Sequence, residues 1–80
     1  MARIRSIKQN QVAQTVHPTD VDATWAIVST PSGQFLQLST YGSDTRSSEP
    51  KVSQTVQIDR QVAGELRRAL DAVFGSPDQP

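Results

Sequence analysis

At Asp59 the spacing of the apolar residues changes from two to three and four, and that junction limits what the chain can become. Before it, Lys51 to Ile58 alternates, with Val52, Val56 and Ile58 on one side and Ser53, Thr55 and Gln57 on the other, as in a half-buried strand. After it, Val62, Leu66, Ala69, Leu70 and Val73 recur at helical spacing as far as Phe74. Asp59 is a good helix N-cap, and Gly75 followed by Ser76-Pro77 is a strong stop. No linker separates strand from helix, so the apolar stripe of the helix is expected to pack on the sheet that holds the strand. Gln54 is the one polar break in the apolar side of that strand. It needs either a buried partner or a place near the sheet edge.

Upstream, two further segments read as strands. Ala23 to Thr30 carries Trp25 and Ile27 on one face and Ala26 and Val28 on the other, and Gln34 to Tyr41 alternates Phe35, Gln37, Ser39 and Tyr41 with Leu36, Leu38 and Thr40. Pro31-Ser32-Gly33 between them suits a tight reversal, so the pair is expected to form a hairpin. Gln11 to His17 also alternates, with β-branched Val12, Thr15 and Val16, and reads as a first strand ended by Pro18. Gly42 to Pro50 contains no apolar residue and reads as an exposed loop. The expected fold is therefore α+β: a four-stranded antiparallel sheet followed by one C-terminal amphipathic helix, ββββα, with the helix on one face of the sheet. Residues 1–10 read as a basic N-terminal arm, 11–75 as a single domain and 76–80 as a flexible tail.

Size limits this core. Of 80 residues only 21 are hydrophobic and larger than alanine, and a chain this short buries only about 60 % of its unfolded surface. Self-association would supply the missing burial, and a homodimer is expected. The chain has no cysteine, which removes disulfides and thiolate chemistry and fits a reducing, cytoplasmic setting. No apolar run approaches the roughly 18 residues of a spanning helix, and the N-terminus lacks the apolar stretch of a signal peptide, so no membrane partner is expected.

Eight Lys plus Arg balance eight Asp plus Glu, which excludes the strongly basic footprint of most nucleic-acid binders. The sum hides a local asymmetry. Arg3, Arg5 and Lys8 give +3 over residues 1–19, whereas Asp20, Asp22 and Asp44 give −3 over residues 20–45. Nine Gln, nine Ser and seven Thr make 25 of 80 positions, so the sheet is rich in hydrogen-bonding side chains that carry no charge. Alternation alone puts Phe35, Gln37, Ser39, Tyr41, Ser53, Thr55 and Gln57 on the face away from Leu36 and Leu38, and a one-residue slip would invert that assignment.

Two resemblances follow from these residues. Leu36 to Ser43, then Arg46, then Lys51 to Asp59 and the helix to Phe74, with the pattern Thr-Tyr-Gly-Ser…Arg…Lys-x-Ser-Gln, resembles a family of small bacterial proteins without an established function, over about half the chain. A hairpin, a polar loop and a strand running through Asp into a C-terminal amphipathic helix is similar in architecture to the positive cofactor four family of transcriptional coactivators. That resemblance implies a homodimer binding single-stranded DNA on open sheet faces, with Arg46 and Lys51 at the loop and strand start and with Tyr41 and Phe35 or Trp25 offering ring faces to bases.

No catalytic pattern competes with this. His17, the only histidine, precedes a proline with no partner motif, Asp20 and Asp22 lack a third metal ligand, and there is no glycine-rich phosphate loop, nucleophile elbow or zinc signature. The chain is expected to be no enzyme and to need no cofactor. A single nucleic-acid strand needs cations for its phosphates and aromatic planes for its bases. The expected interface is therefore Arg3, Arg5, Lys8, Phe35, Gln37, Tyr41, Arg46, Lys51, Ser53 and Gln57, with Trp25 either a stacking platform or the centre of the core, and Tyr41 either a platform or a cap on the sheet edge. The competing expectation is a protein-interaction module that docks a partner protein through the polar sheet edge or the loop.

Overall fold

The structure is a computed structural model that describes residues 1–42 and 51–75; residues 43–50, which hold most of the expected loop and Arg46, and residues 76–80, the expected tail, lie outside it. Its elements are β1 (Ala2–Arg3), β2 (Ala23–Thr30), β3 (Gly33–Tyr41), β4 (Val52–Ile58) and α1 (Arg60–Phe74). The four strands form one sheet in the order β1-β4-β3-β2. The α+β class and the C-terminal helix are as expected. The sheet is mixed, however, because β1 pairs parallel to β4 while β2–β3 and β3–β4 are antiparallel.

The departure from a fully antiparallel sheet has a topological cause. The fourth strand is Ala2–Arg3, extended by Ile4 N donating to Gln57 O at 2.9 Å, and Gln11 to His17 forms no strand. Since β1 and β2 lie at opposite edges and run in the same direction, a parallel return of a dozen or more residues must link them. Ile4 to Asp22, 19 residues, makes that journey. The alternating Val12, Gln14 and Val16 fall within the connection, exposed, with only local bonds nearby such as Val12 N to Asn10 Oδ1 at 3.0 Å. Alternation says which side chains would share a face; it does not provide a neighbouring strand.

The β2–β3 hairpin forms around Pro31-Ser32 as expected. Thr30 Oγ1 donates to Gly33 O at 2.8 Å, and Gly33 sits at φ 145°, a conformation strained for any residue with a side chain. Its register is unbroken from Thr30↔Gly33 to Ala23↔Thr40. Between β3 and β4 the pairs Leu36↔Ile58, Gln37↔Gln57, Leu38↔Val56 and Ser39↔Thr55 run regularly, and then a bulge intervenes, with Thr40 opposite Gln54 but Tyr41 opposite Val52. Ser53 is the extra residue, and a bulge of this kind turns the strand at that point. Gln54, exposed next to this irregularity, has the sheet-end position that its polarity requires.

Helix α1 starts where the sequence signals it. Asp59 Oδ1 accepts from Val62 N at 2.9 Å, a cap that stabilises a helix by about 0.5–2 kcal/mol, and Gly75 at φ 79° closes the other end with its N–H on Asp71 O at 2.8 Å. Arg68 Nη1 donates to Glu65 Oε1 at 2.7 Å, an exposed pair one helical turn apart. Among the described residues the buried hydrophobic side chains are Ile58 and Val62, each 3 % exposed, on either side of the strand-to-helix junction. A shallow depression of about 190 Å³ beside them is lined by Ile27 and Leu36 from the sheet and by Arg60 and Ala63 from the first helical turns. Beyond that point the apolar surface is open: Trp25 is 67 % exposed, Ile27 63 %, and Leu70, Val73 and Phe74 near the helix end are exposed as well. No described helix is long and apolar enough to cross a membrane.

Candidate nucleic-acid interface

The ladder registers sort the sheet into an apolar and a polar face. Paired residues lie on the same side of a sheet, so Trp25, Leu38 and Val56 form one row of the apolar face and Ile27, Leu36 and Ile58 the next. On the opposite side Ala26, Gln37, Gln57 and Arg3 form one row, with Thr24, Ser39 and Thr55 beside it and Phe35 opposite Val28 on the other flank. None of β2, β3 and β4 contains a charged residue. The cation on the polar face therefore comes from β1.

Side chains on this face are already bonded to one another. Gln57 Nε2 donates to Gln37 Oε1 at 3.0 Å, the hydroxyls of Ser39 and Thr55 meet at 3.3 Å, and Tyr41 OH meets Thr24 Oγ1 at 3.0 Å. Ser39 is buried among its neighbours, while Phe35, Gln37, Tyr41, Thr55 and Gln57 are half-buried. The Arg3 guanidinium lies over the Phe35 ring, 5.0 Å from its centroid. Such a cation–π contact is worth about 0.5–1 kcal/mol at an exposed site, and it holds a planar cation and an aromatic ring together next to the Gln37–Gln57 pair. Amides and hydroxyls each offer both donors and acceptors, so this row can hydrogen-bond base edges or sugars without charge.

The structure unites part of the expected site and separates the rest. Arg3, Phe35, Gln37, Gln57 and Tyr41 share the polar face. Ser53 does not: as the bulged residue its Oγ lies 3.0 Å from Thr40 Oγ1, on the opposite row, and Val52 is moved to the row of Tyr41. Trp25 is neither the centre of the core nor a companion of Phe35, since it projects from the apolar face. Lys8, with Ile7 and Gln9, lines a groove of about 500 Å³ against Glu65, Arg68 and Val73 of α1. Arg5 is exposed just beyond Arg3, and Lys51 is exposed at the start of β4, its carbonyl accepting from Gly42 N at 3.2 Å. Arg46 lies outside the described residues. Thr24 is not among the residues that the sequence nominates; the hairpin sets it opposite Ser39, diagonal to Tyr41, and that register is the signal that identifies it.

His17 is held in a local turn, its Nδ1 accepting from Thr19 N at 3.2 Å. Among the described residues no group of three or more His, Cys, Asp or Glu side chains is placed to hold a metal ion. Comparison with known proteins finds no matching family model, no similar curated protein and no similar solved structure.

Proposed function

We propose that this protein is a small, non-enzymatic binder of single-stranded DNA or RNA that works as a homodimer, in the cytoplasm and in the regulation of transcription. The strand lies on the polar face, and α1 packs on the apolar one. A base stacks at the Phe35–Arg3 pair, Gln37 and Gln57 bond base edges, Tyr41 offers a second ring, and Arg5, Lys51 and Arg46 accompany the phosphates. The observation that carries this reading is the Arg3 guanidinium 5.0 Å from the Phe35 centroid, beside three strands that hold no charged residue. Dimerisation is supported by the small buried core and by the exposure of Trp25, Ile27, Val73 and Phe74. It also doubles the cations that one neutral protomer can present.

The test is fluorescence anisotropy of a labelled single-stranded oligonucleotide across a salt series. Binding at low salt that weakens as salt rises is the expected result, with the logarithmic slope falling by about 0.7 when Lys51→Ala removes one phosphate partner. Absence of binding at low salt would end the proposal.

A further inference from the structure

We infer that the two copies of this chain join edge to edge through β2, pairing antiparallel about a two-fold axis at Ala26 and making one continuous eight-stranded sheet. The inference rests on the homodimer proposed above and names its seam. Strand β2 ends the order β1-β4-β3-β2, and among the described residues no backbone group other than those of β3 bonds to it. Along this eight-residue edge every second residue therefore directs its unpaired N–H and C=O groups outward. Sheet edges are ordinarily blunted by lysine, proline, a bulge or a covering segment. Ala23–Thr30 has neither charge nor proline, and its ladder with β3 is unbroken, so the edge is straight and free of self-repulsion.

The register follows from symmetry. A two-fold axis normal to a sheet keeps each face on its own side, so residues that meet across the seam must differ by an even number of positions. Centring on Trp25 would set Ile27 against the partner's Ala23, and centring on Ile27 would set Trp25 against the partner's Ser29. Centring on Ala26 sets Trp25 against the partner's Ile27 twice over. Those are the two large apolar side chains the strand leaves about two-thirds exposed, and an aromatic beside a β-branched residue is a favourable cross-strand pair. On the other face the small Ala26 meets itself at the axis, where a large side chain would collide with its copy. The pairing also places both Arg3–Phe35 pairs on one uninterrupted polar face.

The chain contains no cysteine, so a single introduced thiol reports the register cleanly. Under mild oxidation, with no nucleic acid present, Ala26→Cys should convert to a covalent dimer, because residues facing across the axis lie within disulfide range. Val28→Cys should not, since its own copy is displaced by four residues, roughly 13 Å along the strand. In parallel, light scattering of the unmodified chain should give the mass of two copies. The inference is overturned if folded Ala26→Cys protein, checked by circular dichroism, stays uncrosslinked, if Val28→Cys crosslinks as fast, or if the unmodified chain is a monomer. Crosslinking and mass are both read without oligonucleotide, so a failure to bind a strand would end the nucleic-acid proposal and leave the seam standing.

Discussion

Replacing Ile58 with alanine is expected to remove about 2–5 kcal/mol of stability, the usual cost of truncating a fully buried isoleucine. A domain of this length has a total stability of roughly 4–12 kcal/mol, so the variant should lose a large share of it and unfold at markedly lower urea. The size of the effect comes from the narrowness of the core: Ile58, at the end of β4, and Val62, in the first turn of α1, are its two buried hydrophobic side chains among the described residues. Urea unfolding followed by circular dichroism, at matched protein concentration because dimerisation contributes by mass action, measures the change. A loss under about 1 kcal/mol, below the range for such truncations, would show that the fold is held elsewhere.

Phe35→Ala is expected to weaken binding of a single-stranded oligonucleotide by about 1–3 kcal/mol, roughly a five- to 150-fold rise in Kd, because one stacked base loses its platform. Arg3→Ala should act on the same site in a different way. It removes the cation above the ring, so affinity falls and the salt dependence flattens by about 0.7 in slope. Lys8→Ala is the informative contrast, since Lys8 lines the groove beside α1, and its removal should leave affinity within about twofold. Equal losses for Lys8 and Arg3, or none for Phe35, would move the interface off this face. Neither Arg3 nor Phe35 is in the buried core, so unfolding should not mask the result.

Much of the fold is legible in the residues because each of those elements carries its own local signals. Pro31-Ser32-Gly33 marks the hairpin, alternation marks β3 and β4, and Asp59 and Gly75 bracket α1; each of these works within a few positions of chain. Residues 11–17 show the limit of such signals. Val12, Gln14 and Val16 have a strand pattern, but whether a segment pairs depends on what lies beside it, and here Ala2–Arg3 takes the edge of β4 while residues 4–22 cross to β2. The site divides along the same line. Gln37 and Gln57 follow from alternation across a regular ladder, whereas alternation misplaces Ser53 because a bulge between Thr40 and Tyr41 cancels the period of two beyond it. The Arg3–Phe35 contact joins residues 32 positions apart through a two-residue strand, and nothing in the local sequence announces it. The sequence nominates both partners for the interface on separate grounds, one as part of a basic arm and the other as an aromatic platform.

The partition of the sheet also ties the two proposals together. The polar face, with Arg3 as its cation, is the one proposed to take a ligand, and the apolar face leaves Trp25 and Ile27 exposed. Joining two β2 edges covers part of that exposed surface and lengthens the polar face in the same step.

Amide chemical-shift mapping by NMR, with a short single-stranded oligonucleotide titrated into isotopically labelled protein, tests the central claim most directly. The shifts should concentrate on Arg3, Phe35, Gln37, Ser39, Thr55 and Gln57, with the Trp25 indole signal unmoved. Shifts that concentrate instead on Trp25, Ile27 and α1, or a spectrum that does not change at low salt, would contradict it.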